Sequence, residues 1–234
     1  MKIKFNPGQI KHNPSAAFDI FRSKITKNLK NKEEIPQKAF YAELGTIGDA
    51  FVAQNNLQTM NNKSNQFAEF LVSKGCNNLA GIVYSFLIKI NKNNPEEVEK
   101  LATKALAIAK RHHDPVHIMA RANDLRNIYK KTEPGSDRLL KILYTEKRAL
   151  VDICNNYNGS KNRFHTGETE MKPVEKYEIL LGMVKLDIAQ IIKKQNRTEA
   201  LTEITEAYEL LKKHNITKFL SDAKNLLTEL QSGK

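Results

Sequence analysis

Several residue types are scarce in this chain. Its 234 residues include no Trp, two Cys, ten Gly and seven Pro, and only 7% are aromatic. Two single Cys, at positions 76 and 154, exclude a disulfide framework and a Cys-rich metal site. The low content of Gly and Pro excludes a collagen-like or low-complexity chain. No run approaches the roughly 18 apolar residues of a membrane span, and the start lacks the apolar core of a secretory signal. We therefore expect a cytoplasmic protein.

The net charge of +12 is unevenly distributed along the chain. Thirty of the 38 cations are Lys and eight are Arg, beside many Asn and Ile residues. This bias is what an AT-rich coding genome, such as that of many bacteria, produces without selection for binding. Arg, which makes bidentate contacts to phosphate and guanine, is scarce. Residues 1–38 alone carry a charge of +6, so the composition indicates a basic N-terminal segment rather than a generally basic surface.

Long segments of helical periodicity occupy most of the chain. Apolar residues recur at spacings of three and four, and the segments are separated by N-cap residues and by Pro. Residues 1–13 are predicted to be an extended arm, and Ser15 is predicted to cap the first helix. The predicted helices cover about 16–31, 36–55, 64–75, 77–90, 95–111, 115–131, 136–155, 173–194, 198–214 and 217–230. About ten helices and no credible strand predict an all-α fold.

One predicted helix differs from the others because it is apolar on nearly all faces. The segment LAGIVYSFLIKI, residues 79–90, is expected to be the most buried helix and to be covered from both sides. We therefore expect one continuous domain, in which a helical N-terminal cap (1–94) with a basic first helix leads into stacked helices (95–234). Residues 156–171 form a polar loop without apolar periodicity, and loops of this length are either functional or disordered.

The second half of the chain contains an internal repeat. The segments DLRNIYKK (124–131) and DIAQIIKK (187–194) match in pattern, and each is followed by a turn and a further amphipathic helix. Over roughly 96–230 the chain resembles the tetratricopeptide family of antiparallel helix pairs. Arg126 departs from that pattern, because the family usually has a small residue there. The resemblance implies a short right-handed α-solenoid; a non-repeating helical bundle is the alternative.

The resemblance also implies a binding surface. The family lines a concave groove with the first helix of each repeat, and these helices correspond here to 115–131 and 173–194. Amide and ammonium donors in two facing rows are suited to the carboxylates and carbonyls of an extended acidic peptide. The predicted peptide-binding residues are Asn123, Asn127, Lys130, Lys131, Gln190, Lys193 and Lys194. A solvated polar face is the alternative interpretation, since Lys is also favoured near a helix C-terminus.

Catalytic signatures are missing from the sequence. It contains no GxxxxGK[ST], GxGxxG, GxSxG or HExxH motif. The cluster of His112, His113, Asp114 and His117 is the only group of metal-capable residues in the sequence. Asp114 as a helix N-cap and His117 in the first turn explain that cluster without a metal. We therefore predict no catalytic residue, no metal and no cofactor.

The function predicted from the sequence is a non-enzymatic module that binds a protein or peptide partner along a helical groove. Three alternatives stay open. The first is a nucleic-acid-associated protein that acts through the basic N-terminal segment, with salt-sensitive binding. The second is an enzyme that uses the His112–His117 cluster or the polar loop, which predicts that the two regions converge on one pocket. The third is an all-α protein without any groove function.

Overall fold

The computed structural model describes residues 7–156 and 173–232. The chain divides into two compact units, Met1–His112 and His113–Lys234. The described helices of the first unit are α1 (Pro7–His12), α2 (Pro14–Lys30), α3 (Gln37–Ala53), α4 (Leu57–Ser73), α5 (Asn77–Ile90) and α6 (Pro95–Arg111). Those of the second are α7 (Pro115–Thr132), α8 (Asp137–Asn155), α9 (Pro173–Ile192), α10 (Arg197–Lys213) and α11 (Thr217–Ser232). No described residue lies in a strand, so the predicted all-α class is confirmed.

The beginning of the chain differs from the sequence prediction. The segment Pro7–His12 is a short helix rather than part of an extended arm, which brings the described helices to eleven. The N-cap of α2 is Asn13 and not Ser15, because the Asn13 side chain accepts a hydrogen bond from the Ala16 backbone amide at 3.0 Å. Pro14 then occupies the first turn, where its missing N–H has no intrahelical partner to lose.

The start of α4 was also predicted wrongly. Ser64 does not begin this helix, because α4 starts at Leu57 and Ser64 lies buried in its middle. The Ser64 hydroxyl is 3.6 Å from the Met60 sulfur, one turn earlier in the same helix. A serine that resembles an N-cap is therefore a small buried residue at a helix contact.

Aromatic residues form much of the core of the first unit. Phe18, Phe21, Phe40 and Phe67 are almost completely buried, and their rings contact one another edge to face, tilted or, for Phe40 and Phe67, stacked, with centroids 5.1–6.3 Å apart. The predicted buried helix α5 packs against α3, α4 and α6, and eight of its residues are buried. Coverage of α5 by neighbouring helices is therefore confirmed, and the predicted domain boundary at 94/95 stays a prediction.

In the second unit the helices pack in the order of the chain. Each helix contacts the next from α7 to α11, and α11 also contacts α9. This consecutive packing is the arrangement of stacked helix pairs that the repeat predicts. Every helix in the described ranges of the chain is too short or too polar to cross a membrane.

Candidate functional site

The repeated first helices, α7 and α9, carry the candidate site in the second unit. α7 begins where the Asp114 carboxylate accepts a hydrogen bond from the His117 backbone amide at 3.0 Å. The other Asp114 oxygen lies 2.6 Å from His117 Nδ1. Burial raises the pKa of Asp114, but these hydrogen bonds outweigh it and leave the pKa below its ordinary value. The capping role predicted for Asp114 and His117 is confirmed.

Two ion pairs join the first helices side by side. Lys130 at the end of α7 bonds Asp187 of α9, with Nζ 2.7 Å from Oδ1. Lys193, in the turn that follows α9, bonds Glu229 of α11 at 2.8 Å. Lys130 and Lys193 occupy matching positions of the sequence repeat, so the repeat places one lysine at each junction between successive first helices. Both lysines therefore have a structural role that the sequence prediction did not include.

Four of the seven predicted binding residues project into solvent. Asn127 and Gln190 lie at matching positions on α7 and α9, and both are exposed. Lys131 lies in the last turn of α7, and Lys194 lies in the turn after α9, which ends two residues earlier than predicted. No hydrogen bond or ion pair within the described part of the chain engages these four side chains.

The seventh predicted residue, Asn123, belongs to a buried polar cluster. Its side-chain oxygen accepts a hydrogen bond from Arg126 Nη2 at 2.8 Å. Arg126 is 6% exposed and lies on α7, and its Nη1 is 3.3 Å from a carboxylate oxygen of the fully buried Glu146 on α8. Arg126, the residue that departs from the family pattern, therefore forms a buried ion pair where a small residue was expected.

Burial controls the electrostatics of this cluster. Burial and the nearby carboxylates of Asp187 and Asp124 raise the pKa of Glu146, Arg126 and Lys130 lower it, and the net result is a pKa of about 7. Neither carboxylate oxygen of Glu146 accepts a hydrogen bond among the described residues. The ionised Glu146 carboxyl therefore depends on the charges of Arg126 and, to a smaller extent, Lys130 rather than on a hydrogen-bonded network.

A second buried pair repeats this arrangement in the next helix hairpin. Lys185 of α9 is 5% exposed and bonds Glu203 of α10 at 3.0 Å. Glu203 is also bonded by Lys147 of α8, so one carboxylate connects three helices. In both hairpins a buried cation on the first helix thus faces a buried glutamate on the second.

Sequence reasoning missed these buried charges, although a signal for them exists. Glu146 lies in the apolar stripe of α8 between Leu143 and Leu150, and Glu203 lies next to Ile204 on the buried face of α10. A charged residue in the middle of an apolar stripe indicates either a partner on the facing helix or a functional group. The partners, Arg126 and Lys185, depend on how the helices pack.

Other candidates from the sequence have no comparable arrangement. Within residues 7–156 and 173–232 no group of three His, Cys, Asp or Glu side chains is placed to hold a metal. His113 is an exposed residue with a φ of 52°, immediately before the α7 cap. The polar loop at 156–171 lies outside the described residues except for Asn156. The exposed donors on α7, α9 and the turn after α9 are therefore the candidate surface that remains from the sequence prediction in the second unit.

Comparison with known proteins adds little to this description. No protein-family model matches the chain, and no curated protein matches it in sequence. The solved structure of BtubC (BKLC) from P. vanneervenii is similar at 9% sequence identity with a TM-score of 0.26, over 97% of this chain and 93% of that chain. A TM-score this low establishes no common fold, so the likeness supports no inference about function.

Proposed function

We propose that α7 to α11 form tetratricopeptide-like repeats that bind an extended acidic peptide or protein segment without catalysing a reaction. The observation that carries the proposal is the row of exposed donors at matching repeat positions. Asn127 and Gln190 supply amides, and Lys131 and Lys194 supply ammonium groups. Side-chain amides bond a peptide backbone through both donor and acceptor atoms, and ammonium groups attract carboxylates.

The ion pairs between the first helices support this assignment. Lys130 with Asp187 and Lys193 with Glu229 are neutral pairs that hold α7, α9 and α11 side by side. Lys131 and Lys194 are exposed cations beside these pairs, and neither has a carboxylate partner among the described residues. A ligand with one or two carboxylates matches that charge, so we expect an acidic segment to bind with its carboxylates at the lysines.

The test compares charge reversal on the face with charge reversal elsewhere in the same unit. Lys131→Glu with Lys194→Glu changes the net charge by four and leaves both inter-helix ion pairs intact. The matched control is Lys141→Glu with Arg148→Glu, two exposed cations on α8. Nuclease-treated cell extracts are passed over immobilised wild type and both variants. Segments of retained proteins are then made as synthetic peptides and titrated.

Charge-assisted hydrogen bonds contribute about 1.5–3 kcal/mol each, so the loss of two should weaken binding of the peptide at least about 100-fold. We expect that loss in the α7/α9 variant only. Asn127→Ala with Gln190→Ala should weaken binding of the same peptide without changing the salt dependence of that binding. Equal binding by wild type and the Lys131/Lys194 variant, or equal loss in both charge variants, would contradict a binding role for this face.

A further inference from the structure

An open groove lies between α2 and α4 in the first unit. Its volume is about 510 Å³, within the range of about 300–1,000 Å³ typical of ligand sites. One side is formed by successive turns of α2, and Phe70 of α4 forms the other. Residues 22, 26 and 30 of α2 line it at intervals of one turn, so the row extends about 12 Å along the helix.

The charges along this groove are almost all positive. Arg22, Lys27 and Lys30 line it, and Lys27 and Lys30 are exposed without a carboxylate partner in the described part of the chain. Asp19 is the one acidic residue among those that line the groove, and Lys63 neutralises it with Nζ 2.6 Å from Oδ1. A linear row of unpaired cations favours a chain of phosphates over one isolated anion.

An aromatic ring is held beside these cations. Phe70 is half-buried and stacks on the fully buried Phe67, with centroids 6.3 Å apart and an interplanar angle of 14°. The Arg22 guanidinium lies 5.9 Å from the Phe70 centroid, and the Lys74 ammonium lies 5.8 Å from it. The Phe67 contact fixes the ring, so stacking on it costs little conformational entropy.

The combination distinguishes among polyanions. An acidic peptide or an anionic lipid surface would use the cations but has no need of an aromatic ring at the groove. Single-stranded nucleic acid uses both, because its phosphates follow a basic groove while its bases stack on aromatic rings or guanidinium planes. The scarcity of Arg, which argues against base-specific recognition, is compatible with binding that does not depend on sequence.

We propose that the groove between α2 and α4 binds single-stranded nucleic acid. Arg22, Lys27 and Lys30 contact successive phosphates, and the ring of Phe70 with the Arg22 guanidinium receives a base. The site lies in the first unit and does not depend on the peptide-binding face of the second, so either can fail without the other.

The experiment measures fluorescence anisotropy of a labelled oligothymidine of about 12 nucleotides with the full-length chain. The logarithm of the binding constant falls linearly with the logarithm of the salt concentration, and each phosphate contact to a single strand contributes about −0.7 to this slope. Three contacts therefore give a slope of about −2, which is a roughly 20-fold loss of affinity between 50 and 200 mM salt. Lys27→Glu with Lys30→Glu should reduce the slope to about −0.7 and weaken binding at least about tenfold at low salt. The matched control, Lys89→Glu with Lys92→Glu, changes the net charge equally at exposed sites of the same unit and should bind like wild type.

The aromatic contact is tested separately from the charges. Phe70→Leu keeps every cation and should weaken binding of the oligonucleotide about tenfold, because stacking contributes about 1–3 kcal/mol per base. Phe70→Tyr keeps the ring and should restore binding. Inorganic polyphosphate, which has no bases, should bind wild type and Phe70→Leu alike. Circular dichroism confirms that each variant remains helical.

Four results would overturn the proposal. One is the absence of oligonucleotide binding at low salt. Another is an equal loss in both charge-reversal variants, which would indicate unspecific attraction to a cationic protein. The third is oligonucleotide binding that Phe70→Leu leaves unchanged. The last is retention of the protein on phosphatidylserine vesicles together with no binding of the oligonucleotide, which would assign the groove to a membrane surface.

Discussion

The buried pair between Arg126 of α7 and Glu146 of α8 leads to a prediction about pH and stability. Burial raises the Glu146 pKa from the ordinary 4.5 to about 7 although Arg126 opposes it. As pH rises between these two values, Glu146 loses its proton in the unfolded chain but keeps it in the folded chain. The contribution of this group to the free energy of unfolding therefore falls as pH rises from about 4.5 to 7, and it is constant above 7.

Arg126→Met removes the charge that favours ionised Glu146 and should raise the pKa of this carboxyl further. Above pH 7 the wild type ionises Glu146 beside Arg126, whereas the variant keeps the proton. Each pH unit is equivalent to about 1.4 kcal/mol. The destabilisation caused by Arg126→Met should therefore be about 2 kcal/mol larger at pH 8.5 than at pH 6. Ionisation of Glu146 in the unfolded state is common to both proteins and cancels.

The measurement is urea unfolding at pH 6 and pH 8.5, followed by circular dichroism at 222 nm, with hydrogen exchange of the α7 and α8 amides to report on this unit. Arg148→Met is the matched control, because Arg148 is exposed on the same helix as Glu146. Its effect should be the same at both pH values. An equal destabilisation by Arg126→Met at pH 6 and 8.5 would refute the raised pKa and the coupling between the two groups.

Two further substitutions test packing and capping. Gly48→Ala should destabilise the protein by about 1–3 kcal/mol, because a Cβ would lie 1.9 Å from the buried Phe86 ring, whereas Gly45→Ala, with no neighbour within 4 Å, should stabilise it by up to about 1 kcal/mol. Thermal unfolding of the two variants compares them directly, and a similar change in both would contradict the close contact. Asp114→Ala should cost about 1 kcal/mol by removing the α7 cap, while Asp114→Asn should retain most of it. Because the folded pKa of Asp114 is lowered, its charge-dependent stabilisation is present above the ordinary pKa of 3.8 and is lost as pH falls below it, which an acid titration of wild type beside Asp114→Asn measures.

The positions of most helices follow from local signals in the sequence. Asn94 before Pro95 and Asp114 before Pro115 mark the starts of α6 and α7, and the structure confirms both caps. These signals are reliable because an N-cap and its partner amide lie three residues apart, so no distant part of the chain takes part. The burial of α5 is predictable for a similar reason. A helix that is apolar on all faces is buried in the folded protein, whichever helices pack against it.

Local signals were ambiguous where two candidates for one role were close together. Ser15 and Asn13 can each cap α2, and the backbone conformation selects Asn13 with Pro14 in the first turn. Ser64 resembles an N-cap in sequence, but the preceding residues continue the helix back to Leu57. Serine is compatible with both a cap and a small buried position, and only packing distinguishes them.

The role of each charged residue was decided by tertiary structure. The sequence shows a repeat with lysines at 130, 131, 193 and 194, but not that Lys130 and Lys193 join neighbouring helices while Lys131 and Lys194 face solvent. In the same way, α2 is visibly basic in sequence, yet the groove exists only because α4 places Phe70 beside it. Helical periodicity depends on residues within four positions of one another, so the helices could be predicted from the sequence. Charge partners and grooves arise between helices distant in sequence, so they depend on how those helices pack.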